Sequence, residues 1–158
     1  MIKLAERGIH HIGFVVDDFE GTIEHLKSFY GVKEFQIYDF KPNKAHTRGV
    51  KLPECELKIA MCSLGKGNKD TIEIINPVVG ESIFKEFLDK GSIGFNHICF
   101  PVDDFDDSRN YFLSRGAEII FEVETEDDII GFRRGMFVHD PELDLIIEIK
   151  ENPYFRNK

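Results

Sequence analysis

Apolar positions along this chain alternate in some stretches and recur at helical spacing in others, and the elements they predict come in a repeating order. From Ile9 to Val16 the run is mostly apolar and includes β-branched types, which predicts a strand with His11, Gly13 and Val15 on one face. Asp17 and Asp18 then offer an N-cap for a helix whose apolar stripe is Phe19, Ile23, Leu26 and Tyr30 and whose stop is Gly31. Alternation resumes from Glu34 to Phe40, whereas Lys41 to Pro53 is polar, carries two prolines and reads as a loop. Strands follow at Glu56 to Ser63 and Thr71 to Ile75, with a turn from Gly65 to Asp70 between them and Asn76-Pro77 at the end. The first half is β-α-β-β-β.

A connecting helix is predicted from Glu81 to Lys90, where Ile83, Phe84, Phe87 and Leu88 have helical spacing before Gly91. The order then repeats. A strand from Asn96 to Val102 leads through Asp103-Asp104 into a helix with Phe105 and Phe112 on its apolar side and Gly116 at its end. Strands follow at about Glu118 to Val123, Arg134 to His139 and Leu145 to Lys150, with Gly131 and Asp140-Pro141 as turn signals. The acidic tract Glu122 to Asp128 falls between two of these strands and reads as a solvated loop. The expectation is an α+β fold of one domain over residues 1–158, made of two βαβββ modules at about 8–90 and 91–150, paired around a central cavity.

The repeat is visible in the residues themselves. Gly8 to Phe19 and Gly94 to Phe105 share a histidine, an apolar run, two aspartates and a phenylalanine, which sets His11 and His97 in equivalent places 86 residues apart. The last strands of the halves also match, as Ile72-Glu73-Ile74 and Ile147-Glu148-Ile149. A glutamate inside an apolar strand is costly to bury as a bare charge, so each needs a partner.

Composition narrows the partners. A formal charge of −9 argues against nucleic acid or an anionic membrane surface, both of which call for clustered Lys and Arg. No apolar run approaches the roughly 18 residues of a membrane span, and no secretory pattern opens the chain. Cys55, Cys62 and Cys99 form no CxxC pair and read as reduced core thiols, so a cytoplasmic location is expected.

His11, Glu73, His97 and Glu148 together are two nitrogens and two carboxylates from equivalent places in the two halves. Such a set suits one divalent ion, with Zn, Co, Mn, Ni and Fe all compatible, and leaves room for water or substrate. Spacing leaves a second reading open, in which the histidines bond within the core and the glutamates face solvent.

The pattern resembles the vicinal oxygen chelate superfamily, which includes glyoxalase I, methylmalonyl-CoA epimerases, extradiol dioxygenases and drug-resistance proteins. The resemblance covers nearly the whole chain and is carried by His11 to Val16, Ile72 to Pro77, Gly94 to Asp104, and Phe137 to Pro141 running on to Ile149. In the superfamily the four matching positions are metal ligands, so the resemblance implies that role for His11, Glu73, His97 and Glu148. Thr71 to Asp104 is most similar to methylmalonyl-CoA epimerases. That implies a metal-dependent isomerase taking a proton next to a carbonyl, with Glu148 as the first candidate base, Glu73 its symmetric alternative and Glu56 a third. It also implies a small-molecule substrate such as an acyl-CoA, and a homodimer. A glyoxalase I-like lactoylglutathione lyase would use the same ligands, and a metal-free binding protein of the resistance type is the reading from another class. Some epimerases carry a further acid on the third strand, where this chain has Lys58.

Other residues are weaker candidates. His10 is expected to point away from His11, and His46 and Arg48 lie in the predicted loop. Arg133 and Arg134 open a strand, where a guanidinium could grip an anion in bidentate fashion, and alternation lets only one face the cavity. His25 and His139 have no counterpart in the repeat.

Overall fold

The computed structural model describes residues 2–67, 69–128 and 131–151. In chain order its elements are α1 (Leu4–Arg7), β1 (His11–Val15), α2 (Phe19–Tyr30), β2 (Gln36–Phe40), β3 (Lys44–Thr47), β4 (Val50–Lys51), β5 (Glu56–Leu64), β6 (Asp70–Val79), α3 (Ile83–Asp89), β7 (Gly94–Val102), α4 (Phe105–Ser114), β8 (Glu118–Asp127), β9 (Gly131–Asp140) and β10 (Leu145–Glu151). Among the described residues no helix is long and apolar enough to cross a membrane.

The second aspartate of each repeated pair caps a helix. Asp18 Oδ1 accepts from Gly21 N at 3.0 Å and Asp104 Oδ1 from Asp107 N at 2.8 Å, satisfying donors that the first turn leaves open. Gly31 closes α2 in the left-handed region at φ 71°, and Ser82 caps α3 by accepting from Lys85 N at 3.3 Å.

Ten strands of the described residues form one sheet in the order β2-β5-β6-β1-β7-β10-β9-β8-β3-β4. Each βαβββ unit contributes four strands in the same internal order, and β1 and β7 join them antiparallel. Connectivity forces the sheet to curl. Only residues 41–43 separate β2, first in the order, from β3, ninth in it. Such a link reaches about 14 Å, whereas eight flat strand spacings would cover about 38 Å. The result is a half-barrel. Helix α2 covers its outer face through Phe19 and Ile23 against Ala60 and Ile74, and α4 does so through Phe105 against Met136, Val138 and Ile149. Helix α3 lies on the concave side, where Ile83 and Phe84 pack against Val15, Ile59, Ile75, Phe121 and Phe137.

Three expectations are corrected. The predicted loop Lys41 to Pro53 contains the β3–β4 hairpin, which turns through Arg48 and Gly49, both at positive φ, and pairs with β8 of the other unit. The acidic tract is largely strand: β8 runs to Asp127, with Glu122 bonded to Arg109 at 2.9 Å and Glu124 to Lys44 at 2.9 Å. Strand β6 continues through Asn76-Pro77 to Val79. Beyond Ile75 it has only β5 as a strand partner among the described residues, so a proline is tolerated there. Asn68 of the predicted turn lies outside the described residues.

Phe84 is 1% exposed and meets Phe121 and Phe137 edge to face. Phe84→Ala is expected to cost about 3–4 kcal/mol and lower the melting temperature by roughly 10 °C, while Leu143→Ala on the surface changes stability by under about 0.5 kcal/mol. Equal melting of the two variants would contradict this packing.

Candidate metal centre

Sheet register brings the two histidines and two glutamates to one place. Gly13 on β1 stands between Glu73 on β6 and His97 on β7, and Cys99 on β7 stands between His11 on β1 and Glu148 on β10. These two rows are neighbours on the concave face, so four strands from both units supply the cluster. Gly13 is required by close approach: a Cβ there would lie 2.0 Å from His97 Cε1.

The donor atoms converge. His11 Nε2 lies 3.1 Å from Glu73 Oε2, 2.9 Å from Glu148 Oε2 and 3.4 Å from His97 Nε2. His97 Nε2 lies 3.4 Å from Glu73 Oε2 and 3.3 Å from Glu148 Oε2. His11, Glu73 and His97 are only 2%, 7% and 0% exposed. Each imidazole is oriented from behind: His11 Nδ1 is 2.8 Å from His10 Nδ1, and His97 Nδ1 donates to Asn96 Oδ1 at 2.9 Å. Phe137 packs on His97 edge to face at 5.0 Å. The outer bonds turn both Nε2 atoms inward, the arrangement found behind ligating histidines.

Burial works against charge on all four groups, and their mutual contacts outweigh it. The Glu148 charge with bonds to Cys99, Glu148 and Glu73 raises the His11 pKa, and bonds to Glu148 and Glu73 raise that of His97. Bonds to His11 and His97 hold Glu73 at about 2, and the His11 charge with bonds to both rings holds Glu148 well below the usual carboxylate range. Burial and then the Glu148 charge push the Cys99 thiol up to about 12, which keeps it protonated. Burial, then Lys150 and His11, lower His10 to about 4, so it accepts from His11 as a neutral ring.

This set fits a divalent cation. Glu148 Oε2 is buried and accepts no well-aligned hydrogen bond among the described residues, although His11 Nε2 is close. Four atoms bound to a common ion at about 2.0–2.2 Å stand about 2.8–3.6 Å apart, which brackets the separations here. His11, Glu73, His97 and Glu148 could therefore hold one ion between them.

The remaining candidates separate from the cluster. Lys58 is on the outer side, paired with Glu20 and 4.8 Å from the centre of the Phe19 ring, and Glu56 pairs with Lys41 at 3.3 Å. The concave face of β5 carries Ile59 and Met61 opposite Ile75 and Glu73, so β5 places no carboxylate beside the cluster. Arg48 bonds Glu86 at 2.9 Å, His139 meets Asp144 at 2.9 Å, and His25 stacks on Phe29. His46 pairs with Lys51 in the hairpin. Arg134 is on the outer face with Asp106 at 2.8 Å and Glu151 at 3.2 Å, whereas Arg133 shares the concave parity of Phe137. His10 is exposed as expected but turns to bond His11.

Tyr38 is a functional candidate that the sequence does not single out. Alternation in β2 puts it opposite Ile59 on the concave face, and burial followed by the Glu73 and Glu148 charges pushes its phenol up to about 12. Its pairing with a strand that faces the cavity is the signal that finds it.

No curated protein sequence matches the chain. Solved structures of similar fold include a methylmalonyl-CoA epimerase from Mycobacterium tuberculosis, with TM-score 0.60, 21% identity and 91% of this chain and 87% of that one covered. A Streptomyces coelicolor methylmalonyl-CoA epimerase variant in complex with 2-nitronate-propionyl-CoA gives TM-score 0.60, 19% identity and coverage of 91% and 96%. A methylmalonyl-CoA epimerase in complex with methylmalonyl-CoA and ammonium gives 0.60, 20%, 91% and 93%. At these identities the likeness is one of fold. The family model of the glyoxalase/bleomycin resistance protein/dioxygenase superfamily matches residues 10–138, a span that holds His11, Glu73 and His97 and stops short of Glu148. Matched over most of its length and built on the repeated βαβββ unit, the chain belongs to the glyoxalase/bleomycin resistance protein/dioxygenase superfamily.

Proposed function

We propose that the chain is a metal-dependent isomerase that removes and returns a proton on a carbon next to a carbonyl, acting on an acyl-CoA thioester in the manner of a methylmalonyl-CoA epimerase. The observation that carries this reading is the convergence of His11, Glu73, His97 and Glu148 on one buried point in a fold shared with such epimerases. A divalent ion held by these four would act as a Lewis acid on a carbonyl oxygen, favouring the charge that builds up as the proton leaves.

Glu148 is the base in this proposal. Its carboxyl is held ionised by His11 and His97, the state in which Oε1 or Oε2 can accept a proton. Gly135 lets Glu148 and Val123 lean over β9, since an added Cβ would stand 3.9 Å from Glu148 Oε1 and 3.3 Å from Val123 Cγ2. Glu73 is flanked instead by Met61 and by the His97 ring over Gly13. Phe84 and Phe137 close the site from behind and exclude water. A glyoxalase I-like lyase is the second reading, favoured by the absence of a carboxylate on the concave face of β5.

The direct test is solvent deuterium exchange into methylmalonyl-CoA by metal-loaded protein, followed by mass spectrometry. Exchange is expected; a metal-loaded chain that exchanges nothing there but isomerises a 2-oxoaldehyde hemithioacetal would establish the second reading instead. His97→Ala is expected to weaken metal binding by at least about 100-fold in a folded chain, more than loss of an outer-shell partner costs, and Gly13→Ala by about 10–100-fold because it displaces the His97 ring. Unchanged metal affinity in His97→Ala would remove it from the ligand set.

Proton linkage has a definite sign. His11 and His97 have raised pKa values while free of metal, so an ion must displace protons to bind. Affinity should rise from about pH 6 to about pH 8, and calorimetry in buffers of different ionisation enthalpy should register proton release. Binding independent of both pH and buffer would contradict the imidazole ligands.

A further inference from the structure

Inverting a carbon centre asks for more than a base. A proton taken on one face and returned by the same carboxylate goes back to that face, so inversion needs a donor on the other. Glu148 reaches the cluster from β10. In the sheet, β10 and the neighbours β2 and β5 lie on opposite sides of β1 and β7, and the curl turns them towards each other across the cavity. Where β2 and β5 pair, the side chains turned inward are Gln36, Tyr38 and Phe40 on one strand and Met61, Ile59 and Leu57 on the other. Of these, Tyr38 alone carries a proton acidic enough to pass to a carbanion.

Tyr38 also has the placement. Strand β2 is at the edge of the sheet and Tyr38 is 38% exposed, so the phenol stands at the rim of the cavity, between solvent and the buried cluster. Tyr38 pairs with Ile59, and Ile59 with Ile75, two residues from Glu73. The Cα positions of Tyr38 and Glu73 are then about 12 Å apart on a flat sheet and closer on a curled one, and a phenol and a carboxylate leaning inward narrow that span to the size of a small acyl group. The Tyr38 hydroxyl makes no hydrogen bond among the described residues, which leaves its proton for a ligand. Burial, then the Glu73 and Glu148 charges, keep the phenol protonated, as a donor must be.

We propose that Tyr38 is a further catalytic residue, the acid that delivers a proton to the face of the reacting carbon opposite Glu148. This rests on the isomerase reading above. In the forward direction the Glu148 carboxylate takes the proton, and the electron pair of the broken C–H bond moves towards the carbonyl oxygen. That electron pair then returns to carbon and forms a new C–H bond with the Tyr38 proton on the other face, leaving the electrons of the broken O–H bond on the phenolate. Glu148 gives its proton to solvent and the phenolate takes one back, so the protein ends as it began. The reverse reaction starts from the phenolate with Glu148 protonated. One epimer thus yields its proton to a carboxylate and the other to a phenolate, which makes the two directions separable by substitution.

The test follows each epimer of methylmalonyl-CoA separately in deuterium oxide, with the metal-loaded full chain as wild type and as Tyr38→Phe. Mass spectrometry reads exchange and circular dichroism reads inversion. Wild type should exchange and invert both epimers. Tyr38→Phe should invert them at least about 100-fold more slowly, the lower end of what general acid catalysis supplies, yet exchange the epimer whose proton faces Glu148 to within about threefold of wild type. The other epimer should lose its exchange, with metal stoichiometry and melting temperature unchanged. Loss confined to one epimer is a signature that a merely structural role does not produce. Inversion kept in Tyr38→Phe, or exchange lost equally from both epimers, overturns the assignment and leaves the isomerase reading in place. A metal-loaded wild type that exchanges neither epimer overturns both.

Discussion

Two carboxylates and two imidazoles buried at the centre of one sheet are the constraint on which the rest of this structure depends. An unpaired carboxylate in such a place is costly by several kcal/mol, and Glu73 and Glu148 are tolerable only because His11 and His97 stand within 2.9–3.4 Å of them. That requirement sets the register of four strands at once. A slip of one residue in β1, β6, β7 or β10 would turn a donor to the outer face and leave its partners buried without it. The half-barrel is the scaffold that holds the four strands side by side, and α3 with its phenylalanines keeps water from one end of the cluster.

The two halves repeat, but the site they build is not symmetric. Gly13 and Cys99 occupy equivalent places, and only the glycine lets an imidazole lie over the strand. The Cys99 thiol instead lies against His11, whose outer nitrogen bonds to a second histidine where His97 bonds to an asparagine. The hairpin β3–β4 adds a further difference, because it leaves the first unit and extends the sheet of the second. Met61 and the His97 ring therefore flank Glu73, while Val123 and Glu148 lean over Gly135 on the other side of the cluster.

Much of this is legible in the chain because the signals are local. The repeated histidine strands, the aspartate caps and the apolar stripe of α2 need only neighbouring residues to be read, and the repeat supplies the pairing of the two halves. The hairpin is hidden because its turn begins with Arg48 in place of the usual Asn or Asp, and its pairing with β8 joins residues about 75 positions apart. The acidic tract misleads for a related reason: the cations that let Glu122 and Glu124 lie in a strand, Arg109 and Lys44, come from other elements. Arg133 and Arg134 cannot be told apart until the pairing of β9 with β10 sets their parity against Glu148. Gly13 and Gly135 look like ordinary strand glycines in sequence, and only the side chains leaning across them give them a role.

Whether the cluster holds a metal ion is decided by elemental mass spectrometry of the full chain, purified without a histidine tag and exchanged against a single divalent salt before loosely bound ions are removed. About one ion per chain is expected for at least one of Zn, Co, Mn, Ni and Fe. Less than about a tenth of an ion per chain with every one of these metals would contradict it, and would leave the four residues as a buried ion-pair network within the fold.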